Sequence, residues 1–497
     1  MGAGKNATVL VNRIAAFFER LPASRPFFLG LVAFLLLIFA GGNLPWHLDN
    51  YDQAKQAYVA FEISKTGNLW YQHTPQGRSA SKPPLMGWLS AGMRFVGVPW
   101  DFAWRLPSFL AALALLAILI REGQILLGAA GATLGAAAFG LNLLTPRLAT
   151  LVRTDMLLGA FIFLIGWMIY RKLRAGTAWT STERWLVFAF MTAALFTKGP
   201  VIYAFLLPGM VAFAFLERDR AIRRLVWSGW WTWAIPLALF LAWGVTALLT
   251  NPDFHEDVVQ REFFSRFEEG SRDDERPQPL WFYFPHLLHK FAPWSLLLIG
   301  LVIALPVVRR ELKSRPAMKW LVLWAMGGLV LMTLVPAKRV DRIFPVVPPL
   351  CLLVVEAAAA TWSDRRVRIA TGAATFAGLL MAGGYFVGLV PLSIHERTSA
   401  LVEFSGKVRA LAGAHGQAEI TLPRARDEGL LLYFDRVGFS DKGDAFARWK
   451  AGRPMALVLS DRSAKSFLEE MGPVKPALDS GPLLRKNEQR YYLFLQN

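Results

Sequence analysis

Cysteine is almost absent from this sequence. One residue of 497, Cys351, is a cysteine, and it sits inside an apolar run, which excludes an intrachain disulfide and a cysteine-based metal site. Charge is scarce as well, at 18% of residues against about 25% in a soluble globular protein, while 54% are hydrophobic. A soluble chain of this length would divide into roughly three domains and bury short periodic stripes. Here the apolar residues form unbroken blocks such as Phe27 to Ala40, Phe109 to Ile120 and Leu321 to Val335, which read as membrane spans. Acidic residues are the scarcer sign, 36 against 54 Lys and Arg, for a net charge of +18. A nucleic-acid partner would need those cations clustered on a polar module. They separate the apolar blocks instead, so no nucleic acid is expected. Internal repeats and low-complexity segments are also lacking.

Lys5, Arg13, Arg20 and Arg25 precede the first block and predict a cytoplasmic N-terminus, with a first span from about Pro26 to Trp46. That block is too long for a signal-peptide core and ends in Ala40-Gly41-Gly42-Asn43-Leu44 without a small-x-small cleavage pattern, so it reads as a retained anchor. Further spans fall at about 106–120, 124–142, 149–170, 185–197, 200–216, 226–249, 291–308, 319–336, 343–362 and 369–392. They make eleven, within an expected range of 11 to 13. Segments assigned to the cytoplasm (1–25, 121–123, 171–184, 217–225, 309–319 and 363–368) carry 21 basic and 7 acidic residues, as positive-inside topology demands. The outer segment 251–290 reverses the balance, with five basic and nine acidic. An odd span number places the C-terminus outside. The hairpin around Lys198 is the least regular part, because its two apolar runs are short against the ~20 residues a span needs.

The expected fold is a mainly α, polytopic membrane domain over 1–394, with outer loops 47–105 and 251–290. A small α/β domain outside the membrane follows over 395–497. In that tail Gly429 to Phe434, Met455 to Leu459 and Tyr491 to Leu495 read as short strands, and Asp444 to Lys450 and Ser463 to Glu470 as short helices.

Ionisable groups in or beside spans are costly, at about 2.5 to 3.5 kcal/mol each on the insertion scale, so they usually mark a function or a paired structural site. Four outer places qualify: Leu48 to Gln53 after the first span, Ser81-Lys82-Pro83-Pro84, Arg153-Thr154-Asp155, and Thr197-Lys198-Gly199-Pro200. Under the inferred topology they share one membrane face. Two carboxylates and two ammonium groups placed together suit sugar transfer from a phosphate leaving group, one carboxylate acting as general base and the cations neutralising the departing phosphate. For Asp49, Asp52 or Lys82 taken alone, a solvated interfacial charge is the simpler reading. The scattered histidines carry little signal, and Trp227 to Trp233 reads as an interfacial aromatic belt. Trp281, Phe282 and Tyr283 are candidates to stack on a sugar or isoprenoid.

The order Asp52, Gln56-Ala57, Gly67-Asn68-Leu69-Trp70, Lys82-Pro83-Pro84-Leu85 resembles the first outer loop of the GT-C glycosyltransferases, in their protein mannosyltransferase and lipid A aminoarabinose transferase branch. Arg153-Thr154-Asp155-Met156, Thr197-Lys198-Gly199-Pro200, Arg266-Phe267-Glu268 with Pro293-Trp294, and Lys338 with Pro345 to Pro349 continue the resemblance in register. It covers residues 26 to about 362 and, more loosely, the tail.

The resemblance implies GT-C architecture and inverting transfer from a polyprenyl (undecaprenyl) phosphate-linked sugar to a lipid A, glycan or protein acceptor. The setting it implies is the periplasmic face of a bacterial inner membrane. The base falls on Asp52, with Asp49 as fallback, and the second acid on Asp155. Lys82 falls on the lysine that meets the lipid phosphate; Arg153, Lys198, Lys338 and Arg266 are further phosphate or substrate contacts. The branch has Glu before Lys-Pro-Pro and His in a Glu-His-Phe-x-Arg-Phe run, and Ser81 and Phe263 stand there instead. Losing two ligands at once leaves too few donors for a divalent ion, so no metal or other cofactor is expected. Arg342 stands where the branch often carries Tyr. With Lys338 and Arg339 it forms a basic cluster suited to an anionic sugar such as a uronic acid, to an anionic acceptor, or to lipid headgroups. A membrane glycan polymerase or ligase using a lipid diphosphate is the alternative enzyme. A transporter fits less well, since paired halves and midplane charges are not evident.

Overall fold

The computed structural model describes residues 2–44, 46, 48, 51–263, 278–303, 305–336, 338–416, 419–425, 427–482 and 490–496. Asp49, Arg266, Glu268 and His47 lie outside the described residues. Six of the described helices are long and apolar enough to cross a membrane: Leu106–Gly140, Asp155–Ala175, Trp231–Thr250, Pro316–Leu334, Val340–Thr361 and Asp364–Gly388. The bent pair Val9–Ala23 and Arg25–Gly41, at 71°, makes a seventh if it counts as one span. The protein is therefore a mostly helical, polytopic membrane protein. Val201–Leu216 is a shorter apolar helix.

Two expected spans, 106–120 and 124–142, form one helical run, Leu106–Gly140, broken at Leu127 and Gly128. Gly128 takes φ 61° and ψ −145°, a left-handed conformation that only glycine adopts without strain. The two arms fold back on each other. A methyl group added at Gly131 would stand 2.1 Å from the Gly123 carbonyl oxygen, and one added at Gly135 would stand 2.5 Å from that of Leu119. The turn thus falls beyond the expected loop 121–123. The reason lies in Glu122, which is buried and accepts bonds from Arg174 and from the Trp167 indole, both at 3.0 Å; a charge satisfied this way does not need a loop. Gly135→Ala should therefore lower the melting temperature of the detergent-solubilised protein, by an overpacking cost of about 1–3 kcal/mol. Gly30→Ala, in a helix with open space around the site, should leave it unchanged or raise it slightly. Equal behaviour of the two variants would reject the close-packed hairpin.

The chain forms two compact units, one of residues 1–42, 81–85 and 105–388, the other of residues 43–80, 86–104 and 389–497. In the second, a four-stranded sheet comprises β1 (Ile420–Thr421), β2 (Met455–Ser460), β3 (Leu478–Asp479) and β4 (Tyr491–Gln496), in the order β1-β2-β4-β3. β2 pairs parallel with β1 and antiparallel with β4, with Leu457 opposite Phe494. Alternation sends Leu457, Leu459 and Phe494 to one face, where Phe446, Trp449 and Phe467 cover them. Ala456, Val458 and Leu493 face the other way, onto a core that includes Leu430, Leu431 and Phe434, and Tyr58 and Phe61 of the first-loop helix Tyr51–Thr66.

The expected helices near 444–450 and 463–470 are present as Lys442–Lys450 and Asp461–Met471. The strand expected at Gly429 to Phe434 is instead a helical turn, Gly429–Tyr433. A five-residue apolar run does not reveal its own period, and three consecutive leucines favour helix intrinsically.

Candidate active site

In the first unit the Arg153-Thr154-Asp155 motif begins the helix Asp155–Ala175, and Lys198 ends the helix Ser181–Lys198. Gly199, at φ 73°, turns the chain directly into the next helix. Lys198 Nζ donates to Asp155 Oδ1 at 2.5 Å, and both side chains are largely buried. Arg153 and Lys82 also lie within electrostatic reach of the Asp155 carboxylate. The structure thus brings together Lys82, Arg153, Asp155 and Lys198, four residues separated by up to 116 positions in the chain.

Arg153 itself pairs with Asp341, and Arg339 approaches the same carboxylate at 3.6 Å. Asp341 belongs to the short 3-10 turn Val340–Val346, whose Phe344 ring occupies the space a side chain at Gly159 would need. Lys338 Nζ donates to the Gln278 carbonyl at 2.9 Å, and burial holds its ammonium below the usual lysine range. Arg342 follows Asp341, its backbone N–H donating to the Arg339 carbonyl at 3.1 Å. Lys290 is likewise pushed down, by burial first and then by Arg147, while Asp341 draws it up.

Sequence reasoning overlooked Asp341, Arg147 and Lys290. The signal for Asp341 was present, as the single acid in the basic run Lys338-Arg339-Val340-Asp341-Arg342. Nothing local marks Arg147 or Lys290. Among the described residues cations therefore outnumber carboxylates in this region, and Asp155 and Asp341 each already have a cationic partner. An anion entering it would find several donors in a low-dielectric setting.

Asp52 belongs to the second unit, in the first turn of Tyr51–Thr66, where a negative charge is favoured by the helix dipole. Gln56 lies one turn further on the same face. The Gly67-Asn68-Leu69-Trp70 motif acts as a turn. Gly67 takes φ 73°, and the Asn68 side chain bonds both the carbonyl and the N–H of Tyr71, at 2.6 and 3.2 Å. Buried Glu62 then anchors the loop, accepting from the His73 N–H at 2.6 Å and meeting its Nδ1 at 2.7 Å, a contact that raises the His73 pKa. Lys55 and Asp52 both act on the charge of Glu428 in the C-terminal segment of this unit. Of the outer-loop aromatics, Tyr283 is fully buried and Trp281 is exposed. Among the described residues no three His, Cys, Asp or Glu side chains gather as a metal site would require.

The chain is similar to two curated enzymes bearing the name undecaprenyl phosphate-α-4-amino-4-deoxy-L-arabinose arabinosyl transferase. That of Pseudomonas savastanoi pv. phaseolicola is 27% identical over 373 residues, covering 70% of this chain and 64% of the relative. That of Shewanella sediminis is 26% identical over 234 residues, 45% of this chain and 41% of the relative. Both matches span less than two thirds of the relatives' own length. Among solved structures, ArnT from Cupriavidus metallidurans bound to undecaprenyl phosphate matches with a TM-score of 0.72 at 17% identity, over 95% of this chain and 98% of that one. No protein-family profile matches. The GT-C resemblance carried by the motifs is thus borne out at the level of fold.

Proposed function

We propose that this chain is an inverting membrane glycosyltransferase that moves a sugar from undecaprenyl phosphate to a lipid A or related envelope acceptor on the periplasmic face of the inner membrane. The observation that carries the reading is the Lys198–Asp155 pair with Arg153 and Lys82 in reach, a largely cationic cluster built from motif residues. The curated relatives use a lipid monophosphate donor by name, which favours a monophosphate over a diphosphate for this chain.

Each residue then has a part. The Asp52 carboxylate removes the acceptor hydroxyl proton as the oxygen attacks the anomeric carbon. The bond from that carbon to the phosphate oxygen breaks with inversion, and undecaprenyl phosphate leaves carrying the electron pair. Lys82, Lys198 and Arg153 neutralise the charge that grows on it. Asp155 holds Lys198 in place, while Lys338, Arg342 and, in the outer loop, Arg266 contact the lipid phosphate or the sugar. Transfer proceeds without a bound metal, because Ser81 and Phe263 replace the two ligands that the related branch would use. The membrane domain, residues 1–394, crosses the bilayer eleven to thirteen times, with its N-terminus in the cytoplasm. Residues 395–497 form a periplasmic α/β domain.

Mass analysis of envelope lipids and glycans from a deletion strain tests this reading. One sugar mass should vanish from an acceptor, return with the wild-type gene, and stay absent with Lys82→Met. An unchanged envelope lipid together with accumulated lipid-diphosphate glycan would replace this reading with the polymerase or ligase. Transfer measured in the presence of a chelator should be unaffected, and its loss, restored by one metal, would overturn metal independence.

A further inference from the structure

The helix Gly2–Arg20 has no part in the proposed chemistry, and its sequence sets it apart from the spans. From Val9 onward it carries Arg13, Glu19 and Arg20 among Leu10, Val11, Ile14, Phe17 and Phe18. Three ionisable groups in so short a stretch would be costly to bring into hydrocarbon. The helical period separates the two kinds of residue. Leu10, Ile14 and Phe17 fall along one edge, Asn12 lies about 170° round from them, and Arg13 and Arg20 stand on the flank between.

Packing in the first unit uses a different side of this helix. Glu19 accepts from Arg368 at 3.0 Å and from Arg365 at 3.3 Å, both near the start of the helix Asp364–Gly383. A methyl group added at Gly372 would stand 2.2 Å from the Phe18 carbonyl oxygen, and the Phe18 ring meets that of Phe376 at 5.9 Å between centroids. The bend that follows is pinned as well. Fully buried Thr133 donates to the Pro22 carbonyl at 3.1 Å, and the Ser24 side chain caps the next helix, Arg25–Gly41. Leu10, Ile14 and Phe17 nevertheless remain 59%, 47% and 53% exposed.

The two helices meet at 71°. A spanning helix tilts by about 20° from the bilayer normal, so one bent from it by this much lies roughly 50° to 90° from the normal, nearer the membrane plane than a span. Arg13, Arg20, Arg25, Arg365 and Arg366 are all exposed in the adjoining segments. Asp364 is the one exposed acid among the described residues of 9–25 and 363–368. An apolar edge flanked by arginines on a helix lying in the plane matches an anionic lipid surface in both shape and charge.

We propose that Gly2–Arg20 is an interfacial helix that seats the protein on anionic phospholipid headgroups of the cytoplasmic leaflet, with Leu10, Ile14 and Phe17 in the acyl boundary and Arg13 and Arg20 at the phosphates. The choice of leaflet rests on the reading of a cytoplasmic N-terminus. Contacts with Asp364–Gly383 and with Thr133 then hold this seat rigidly to the spans. The bent pair counts as one span, Arg25–Gly41, preceded by a surface anchor.

Nitroxide labels on the full chain in nanodiscs test the placement without any sugar donor. They are attached singly at Leu10→Cys, Asn12→Cys, Ile14→Cys and Phe17→Cys; Cys351 is buried and does not compete for the label. Labels at 10, 14 and 17 should be reached by oxygen at one shallow depth, and the label at 12 by a water-soluble nickel chelate. Depth that increases steadily from 17 to 10 would mark a re-entrant or spanning segment and overturn the proposal. So would spin–spin broadening at 10, 14 and 17, which would give the edge to a second copy. An impermeant maleimide should reach Asn12→Cys from the cytoplasmic side alone. Labelling from the outer side would overturn the choice of leaflet, while the depth profile still decides whether the helix is interfacial.

The headgroup preference is read from a fluorophore on Phe17→Cys, quenched by brominated phosphatidylglycerol in phosphatidylcholine nanodiscs. The label should favour phosphatidylglycerol, and Arg13→Gln and Arg20→Gln should each lower the relative association constant about fivefold. Arg13→Lys keeps the charge and should keep the preference, and about 1 M salt should remove most of it, since the Debye length is then about 3 Å. These side chains are exposed, so melting temperatures should stay at the wild-type value. A preference unchanged in both glutamine variants, or lost equally in Arg13→Lys, overturns the headgroup contact.

Discussion

Asp52→Asn should reduce kcat for sugar transfer by about 10²- to 10⁴-fold, the range over which a positioned general base contributes, with the donor KM little changed. The amide keeps the shape of the side chain and removes only its capacity to take a proton. Losing a negative charge from the first turn of Tyr51–Thr66 removes about 0.3–1 kcal/mol of helix-dipole stabilisation. The comparison with Asp155 explains why the base is assigned to Asp52. Asp155 accepts from Lys198 at 2.5 Å in a largely buried pair, so its carboxylate is already engaged by an ammonium. Asp52 is only half-buried, at the start of a helix. Turnover of the purified variant in nanodiscs, with thermal melting alongside, checks this, and transfer within a few-fold of wild type would remove Asp52 from the chemistry.

The membrane class and the first-unit cluster were legible because both depend on residue type at fixed places. Lys82, Arg153, Asp155 and Lys198 stand out as charges beside apolar runs, where each is costly, and the structure groups them. Their pairing was not legible. Asp341 is recruited to Arg153 by the packing of Phe344 against Gly159, a contact between elements nearly 200 residues apart, and Lys290 comes within electrostatic reach of Arg147 from another distant segment. The turn at Gly128 was misplaced because Arg121 and Glu122 looked like a loop, whereas Glu122 is satisfied by Arg174 and Trp167 across a helix interface. The apolar run of Gly429–Tyr433 is too short to show a period, so its sequence suits a strand as well as the helical turn it forms. The common cause is that a buried polar group or a short apolar run takes its meaning from distant partners, which composition and spacing do not record.

Asp155→Asn should separate the binding of the lipid phosphate from its release. In the wild type Lys198 is already engaged by Asp155, so an incoming phosphate must compete with that carboxylate for the ammonium. With the carboxylate gone, Lys198, Arg153 and Lys82 face one another with their common counter-ion removed. The variant should be destabilised, since breaking a buried ion pair from one side typically costs about 3–5 kcal/mol. Undecaprenyl phosphate should then serve as the missing anion, binding roughly tenfold more tightly than to wild type, a gain of about 1.4 kcal/mol, and raising the melting temperature by more. Transfer should nevertheless slow, because a leaving group held too firmly delays the next turnover. Asp155→Asn combined with Lys198→Met removes both charges at once and should recover much of the stability. It should recover neither the tight binding nor the transfer. Binding titrations with undecaprenyl phosphate in nanodiscs, run beside melting curves for the wild type, both single variants and the double, measure every corner of this cycle. If Asp155→Asn binds the lipid phosphate no better than wild type does, then Asp155 is not competing for the phosphate's lysine, and the pair with Lys198 serves only to hold the two helices together.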